Sequence, residues 1–217
     1  GFIVDGPLDV EALSAALSDV VGRHEALRAT LPEEDGRPIV RIQPPGPISV
    51  DVEHLSTTED AGIRAWFTKQ GLRSFDIERE IPVRAVVGAL PDGRHLLSLV
   101  MHHSATDGGS AAVIYGDLTT AYHARRRGRA LALPPLAIEY YDWAAWQREH
   151  LQSSETETAL NAVVERLRGA PEILDLPVEF ERADPSSFSG SMLHLPLPRS
   201  LERNLRASAR DKQATLF

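Results

Sequence analysis

The chain has 217 residues, 42% of them hydrophobic and 25% charged, which is the composition of an ordinary globular domain with a sizeable core. Its net charge of −8 argues against nucleic acid as the main partner, and the absence of cysteine excludes disulfides, thiolate catalysis and cysteine-based zinc sites. No apolar run is long enough for a membrane helix and no signal peptide is visible, so we expect a cytoplasmic protein with no membrane partner.

The first part of the chain predicts short strands that alternate with helices. Apolar residues at helical spacing mark the helices, and proline-rich segments separate the strands. In chain order the elements are a strand at Phe2–Val4, a helix capped by Asp9, strands at Pro38–Gln43 and Ser49–His54, and a helix for which Thr57 and Asp60 form a capping pair.

The clearest predicted unit is an antiparallel hairpin. Ile81–Leu90 and Arg94–His102 are β-rich runs separated by a Pro-Asp-Gly turn. The second strand runs into His103, and a helix with an apolar stripe begins at Asp107. Strand ends and helix N-termini are common places for reactive groups, so this junction is the first candidate for a functional site.

The rest of the chain predicts three more helices and a strand. They are helices at Tyr140–Leu151, Thr156–Arg168 and Leu201–Arg210, a long linker at Asp175–Gly190, and a strand at Ser191–Pro196. Mixed strands and helices around an antiparallel hairpin predict an α+β sandwich rather than a doubly wound sheet. The sequence does not begin with methionine and ends on the apolar stretch Ala214–Phe217, so we expect both ends to be cut from a longer protein.

The basic cluster Arg125–Arg129 has two interpretations. The first is a helix C-terminus, with cations at the negative end of the helix dipole and Gly128 as the cap. The second is a docking patch for an acidic carrier protein.

Two adjacent histidines, His102 and His103, end the second strand of the hairpin. Successive side chains of a strand point to opposite faces, so the two imidazoles diverge and do not share a metal ion. A histidine that faces a cleft suits proton transfer, because its ordinary pKa is about 6.5. Amide formation from a thioester is a reaction that suits such a group, since the attacking amine loses a proton. On chemistry alone, a catalytic histidine and a buried, hydrogen-bonded histidine are equally good interpretations.

Asp107 also has two interpretations. It is either the N-cap of the helix that follows, or one half of a buried ion pair with an arginine that holds the loop. The two roles do not exclude each other, and both are structural rather than catalytic.

Three segments together resemble condensation domains of nonribosomal peptide synthetases. Met101–Ser110 resembles the MHHxxxDGxS signature, Arg23–Leu31 is similar to RHExLRTxF, and Tyr140–Gln147 resembles YxDYAxWQ. HHxxxDG alone occurs in many acyltransferases, but the three segments in this order are specific to the family.

The resemblance implies a fold like that of chloramphenicol acetyltransferase, with two lobes and a tunnel between them. Residues 1–175 would form the N-terminal lobe, and residues 176–217 the linker and the start of a truncated C-terminal lobe. His103 would be the catalytic residue, as a general base or as a positioning group. His102 and Gly108 would support the loop, and Asp107 would form a structural salt bridge with Arg28.

The implied function is amide bond formation between donor acyl and acceptor aminoacyl thioesters, which ride on the phosphopantetheine of carrier proteins. The expected partners are donor and acceptor peptidyl carrier proteins and neighbouring synthetase domains, including the second lobe. No cofactor or metal is expected to bind directly. We expect this chain alone to be inactive. The alternatives are an ester-forming O-acyltransferase and a non-catalytic module that recruits other proteins.

Overall fold

The computed structural model describes residues 1–172, 177, 193 and 195–216. These residues fall into two compact units, Gly1–Arg166 and Leu167–Phe217. The predicted linker at Asp175–Gly190 and most of the predicted strand at Ser191–Pro196 lie outside the described residues.

All six predicted helices are present. They are α1 (Val10–Arg23), α2 (Asp60–Leu72), α3 (Ser110–Arg125), α4 (Tyr140–His150), α5 (Ser154–Leu167) and α6 (Arg199–Asp211). Asp9 caps α1 as predicted, since its carboxylate accepts from the backbone N–H of Ala12 at 2.9 Å. The predicted Thr57–Asp60 capping pair is wrong. The Thr57 hydroxyl accepts from the N–H of Glu59 instead, at 3.1 Å, one residue before α2 begins.

The predicted hairpin is confirmed and forms the centre of a four-stranded sheet. The strands are β1 (Phe2–Val4), β2 (Ala29–Thr30), β3 (Glu33–Glu34), β4 (Arg37–Pro38), β5 (Arg41–Ile42), β6 (Asp51–His54), β7 (Val83–Ala89) and β8 (His95–Met101). In the main sheet the order is β1-β8-β7-β6, with β6 parallel to β7 and the other pairs antiparallel. The predicted strand at Pro38–Gln43 is divided between β4 and β5, which pair with β3 and β2 respectively.

Helices cover both faces of the main sheet, because alternate residues of a strand point to opposite sides. Val83, Ala85 and Val87 of β7 pack in one apolar cluster with α1 and α3. The intervening Val86 packs in a second cluster with Trp66 of α2. At Gly88, a Cβ would lie 3.0 Å from Leu55 and 3.2 Å from Trp66, so glycine permits this close approach.

Two ion pairs join α1 to α3 beside the first cluster. Arg125 Nε lies 2.7 Å from Asp19 Oδ2, and Arg23 Nε lies 3.1 Å from Asp117 Oδ2. The order of these pairs makes the helices antiparallel. The end of α1 and the 3₁₀ helix Glu25–Arg28 that follows it therefore lie near the first half of α3.

The basic cluster Arg125–Arg129 begins at the last residue of α3, as predicted by its interpretation as a helix C-terminus. Gly128 has φ of 66° and closes the helix by donating its N–H to the carbonyl of Arg125 at 2.9 Å. Within the described residues, no helix has the length and apolar character needed to cross a membrane.

Candidate active site

The loop between β8 and α3 is fixed at its first residue by backbone hydrogen bonds. The His102 N–H donates to the carbonyl of Pro82 at 3.0 Å, which continues the pairing of the hairpin by one residue. The His102 carbonyl accepts from the N–H of Ala105 at 3.1 Å and so closes a turn. The sheet therefore holds the two histidines at the C-terminal end of β8.

His102 is half-buried and committed to the loop itself. Its Nδ1 accepts from the Ser104 N–H at 3.1 Å and lies 2.8 Å from the Ser104 hydroxyl. Because Nδ1 accepts, a neutral ring carries its proton on Nε2. The ring also packs edge-on against Phe75, with centroids 6.1 Å apart.

His103 lies in a different environment. Its side chain is exposed and has no hydrogen-bond partner among the residues that the structure describes. It lines a cavity of about 280 Å³ together with the loop, the start of α3, residues of the 3₁₀ helix and Tyr140 of α4. The loop thus places one imidazole in support of the backbone and the other at an open cavity.

Asp107 caps the first turn of α3. One carboxylate oxygen accepts from the Ser110 N–H at 2.8 Å and from the Ser110 hydroxyl at 2.6 Å. The Ser110 hydroxyl, then the Ser110 N–H, hold the pKa of this carboxyl below its ordinary value, and the nearby His103 lowers it further. The Ser110 N–H is consequently committed to Asp107 and does not face the cavity as a free donor.

The structure does not form the predicted salt bridge between Asp107 and Arg28. Arg28 donates from Nη1 to the carbonyl of Gln43 at 2.6 Å, and its Nη2 lies 3.3 Å from Glu25. Its Nε is buried without a partner. Asp107 instead takes the hydroxyl and N–H that lie three residues along its own chain, because local capping groups need no rearrangement to reach it.

Gly108 has a simple environment in this chain. A Cβ there would meet no heavy atom within 4 Å, and its φ is not in the left-handed region. Neither crowding nor backbone conformation within the described residues therefore requires glycine at this position.

The family model of the Condensation domain matches residues 2–217. The chain belongs to the condensation domain family. It is 36% identical to the probable non-canonical nonribosomal peptide synthetase CymA of Salinispora arenicola, in an alignment of 219 positions that covers 99% of this chain and 3% of CymA.

Solved structures of other members share the fold of this condensation domain. The X-domain of teicoplanin biosynthesis, solved in complex with OxyB, is 31% identical with a TM-score of 0.83, over 98% of this chain and 47% of that one. The first condensation domain of the calcium-dependent antibiotic synthetase, bound to a substrate analogue, is 27% identical with a TM-score of 0.77, over 99% and 50%. The chain therefore has the α+β fold of chloramphenicol acetyltransferase-like proteins, and it spans about half the length of these solved relatives.

The sequence analysis did not single out His24, which lines the cavity of this condensation domain, or Asp117, which contacts His24 from outside that lining. His24 follows α1 directly and lines the cavity together with His103. Asp117, on α3, lies 2.8 Å from His24 Nε2 and also accepts from Arg23. His24 lies inside the segment that resembles RHExLRTxF, but no pattern in the sequence joins it to Asp117.

Proposed function

We propose that this condensation domain catalyses amide bond formation between a donor acyl thioester and an acceptor aminoacyl thioester, each carried on the phosphopantetheine of a carrier protein. The observation that carries the proposal is the placement of His103. Its ring is exposed at a cavity and free of hydrogen bonds to described residues, while the adjacent His102 holds the loop.

The chemistry requires a proton acceptor beside the amine. The amine nitrogen attacks the thioester carbon, the new C–N bond forms, and the C–S bond breaks to release the thiol of the donor arm. The nitrogen sheds one proton in this process, and His103 is the group placed to accept it or to hold the amine in line.

The supporting roles go to residues that shape the loop. His102 fixes the backbone through Ser104, and Asp107 fixes the start of α3 through Ser110. Arg28 fixes the 3₁₀ helix that lines the cavity, through its bonds to Gln43 and Glu25. The described residues give Gly108 no comparable contact.

We further propose that the 217 residues by themselves do not catalyse the reaction. Residues 1–175 would supply one wall of the site as an N-terminal lobe, and residues 176–217 would begin a second lobe. The exposure of His103 supports this, because an open cavity does not hold two carrier-bound substrates in reactive geometry. Such positioning is worth about 7–11 kcal/mol of a barrier. Neighbouring synthetase domains and two carrier proteins are the partners this arrangement requires.

The test uses the intact protein that contains this domain. Incubation with donor- and acceptor-loaded carrier proteins, read by mass spectrometry of the acceptor, should give an amide-linked product. A matched acceptor that carries a hydroxyl in place of the amine measures ester formation. Preference for the hydroxyl acceptor would replace the proposal with an O-acyltransferase.

A second candidate function, protein recruitment, is favoured by one structural likeness. The X-domain with which this chain shares a TM-score of 0.83 was solved in complex with another protein, OxyB. If the intact protein transfers no acyl group to either acceptor, recruitment becomes the better account of this domain.

A further inference from the structure

We propose that His24 is a second imidazole of the site, which accepts a hydrogen bond from the acceptor amine through Nδ1 and is oriented by the hydrogen bond of its Nε2 to Asp117. The inference deepens the proposed function and rests on it. His24 would bind and orient the nucleophile, while His103 takes its proton.

The first observation is the way His24 is held. Its Nε2 lies 2.8 Å from Asp117 Oδ2, and both side chains are only 17% exposed. The same carboxylate oxygen accepts from Arg23 Nε at 3.1 Å, and Arg23 is fixed in turn by a bond of 2.7 Å to the carbonyl of Pro134. The imidazole therefore has little freedom to rotate.

The second observation is the state of the other ring nitrogen. An ionised carboxylate only accepts hydrogen bonds, so Nε2 of His24 is the donor and a neutral ring carries its proton there. Nδ1 is then left with a lone pair, and it has no partner among the described residues. Among the described residues, Arg28 Nε is the buried side-chain nitrogen or oxygen without a partner, and Nδ1 of His24 is not such an atom.

The third observation is the position of the ring. His24 lines the same cavity of about 280 Å³ as His103. His24 comes from the end of α1, and His103 comes from the loop that follows β8. The cavity is therefore lined by two histidines from separate elements, and in a neutral His24 ring the nitrogen that Asp117 does not engage is an acceptor.

The chemistry of an acceptor nitrogen selects an N–H donor as its ligand. The neutral acceptor amine carries two hydrogens. One leaves for His103 as the C–N bond forms, and the other stays on nitrogen and becomes the N–H of the amide. A hydrogen bond from this second hydrogen to His24 is present before, during and after attack. An interaction of equal strength throughout affects the binding of the acceptor more than the rate of chemistry.

Three variants of the intact protein separate this role from that of a structural clamp. His24→Gln keeps an amide N–H near the position of Nε2, where it can still reach Asp117, but removes Nδ1, the nitrogen to which we assign the amine. His24→Asn keeps a polar group near the position of Nδ1 and gives up the contact with Asp117. Arg125→Gln is the matched control, because it breaks the ion pair with Asp19 between the same two helices without touching the cavity.

The expected result is a change in KM with little change in kcat. His24→Gln should raise the KM for the acceptor about 3- to 10-fold, as expected for one lost hydrogen bond, and leave kcat and Tm close to those of the wild type. His24→Asn should have an acceptor KM between that of the wild type and that of His24→Gln. Arg125→Gln should lower Tm and leave the acceptor KM unchanged. An unchanged KM in His24→Gln, or parallel losses in His24→Gln and Arg125→Gln, would overturn the inference.

A binding measurement separates failure of this inference from failure of the proposed function. The probes are glycyl-aminopantetheine and acetyl-aminopantetheine, which differ in the amine, titrated calorimetrically into the intact protein. The wild type should prefer the glycyl probe about 3- to 10-fold, and His24→Gln should lose that preference. Equal preference in both proteins refutes the role of His24 even if amide product forms. A preference that depends on His24, without amide product, refutes the proposed reaction and retains His24 as an amine-binding residue.

Discussion

The helices of the Gly1–Arg166 unit differ sharply in how well their side chains are covered. α1 buries six residues against the sheet and α3, and two ion pairs tie α1 to α3. α4 and α5, all of whose residues in this unit the structure describes, bury none. Trp146 of α4 is 56% exposed and stacks on His150 at a centroid distance of 5.1 Å.

The cavity lies where these two regions meet. The loop that carries His103 is attached to the rigid region through the hairpin and α3, whereas Tyr140, 53% exposed, is the contribution of α4. A reactive group that must keep its orientation is thus placed on the packed side. The exposed aromatic residues of α4 lie on the less covered side.

The largest expected difference between the two regions is in the cost of truncating a side chain. Leu17 of α1 is 1% exposed, so Leu17→Ala should lower the free energy of unfolding by about 2–5 kcal/mol. Trp146→Ala should change it by less than about 0.5 kcal/mol, because the side chain is largely in solvent. Urea unfolding of both variants measures the two values. Equal losses would mean that α4 is packed as tightly as α1.

A smaller difference is expected between two pairs of charged residues. Asp19 and Arg125 are in contact, so removing both should cost less than the sum of the single losses, by roughly 1 kcal/mol for a pair that is partly exposed. Arg28 and Asp107 are not in contact, and their single losses should add to within about 0.3–0.5 kcal/mol. A double-mutant cycle for each pair gives both numbers. Coupling between Arg28 and Asp107 would restore the salt bridge that the sequence analysis expected.

The smallest expected effect is a dependence on pH at the start of α3. The pKa of Asp107 is lowered chiefly by the Ser110 hydroxyl. The carboxylate therefore stabilises the fold at pH values above the ordinary pKa of an aspartate side chain. That contribution is lost as the pH falls through the lowered pKa. The difference in Tm between the wild type and Asp107→Asn should therefore shrink between about pH 7 and about pH 3. A constant difference over this range would show that the charge of Asp107 has no part in the cap.

Local patterns predicted most of this fold. The spacing of apolar residues located α3, the Pro-Asp-Gly turn located the β7–β8 hairpin, and Asp9 marked the start of α1. Each depends on neighbours in sequence, where propensity and capping act directly. The resemblance in turn pointed to His103, which the structure places at the cavity.

The sequence did not predict correctly which polar side chains contact each other. The salt bridge of Asp107 was expected with Arg28, but the Ser110 hydroxyl three residues away is a nearer partner. The contact of His24 with Asp117 joins residues 93 apart and exists only because α1 and α3 pack antiparallel. Periodicity predicts that two helices form, and it does not predict which polar side chains meet between them.

The central claim is that His103 and His102 do different work from adjacent positions, and one measurement tests it directly. Single-turnover amide formation by the intact protein with loaded carriers should fall about 10²- to 10⁴-fold in His103→Ala, with Tm close to that of the wild type, because the ring is exposed. His102→Ala should lower Tm as well as the rate, because its ring holds Ser104 and packs on Phe75. Near wild-type turnover in His103→Ala would contradict the account.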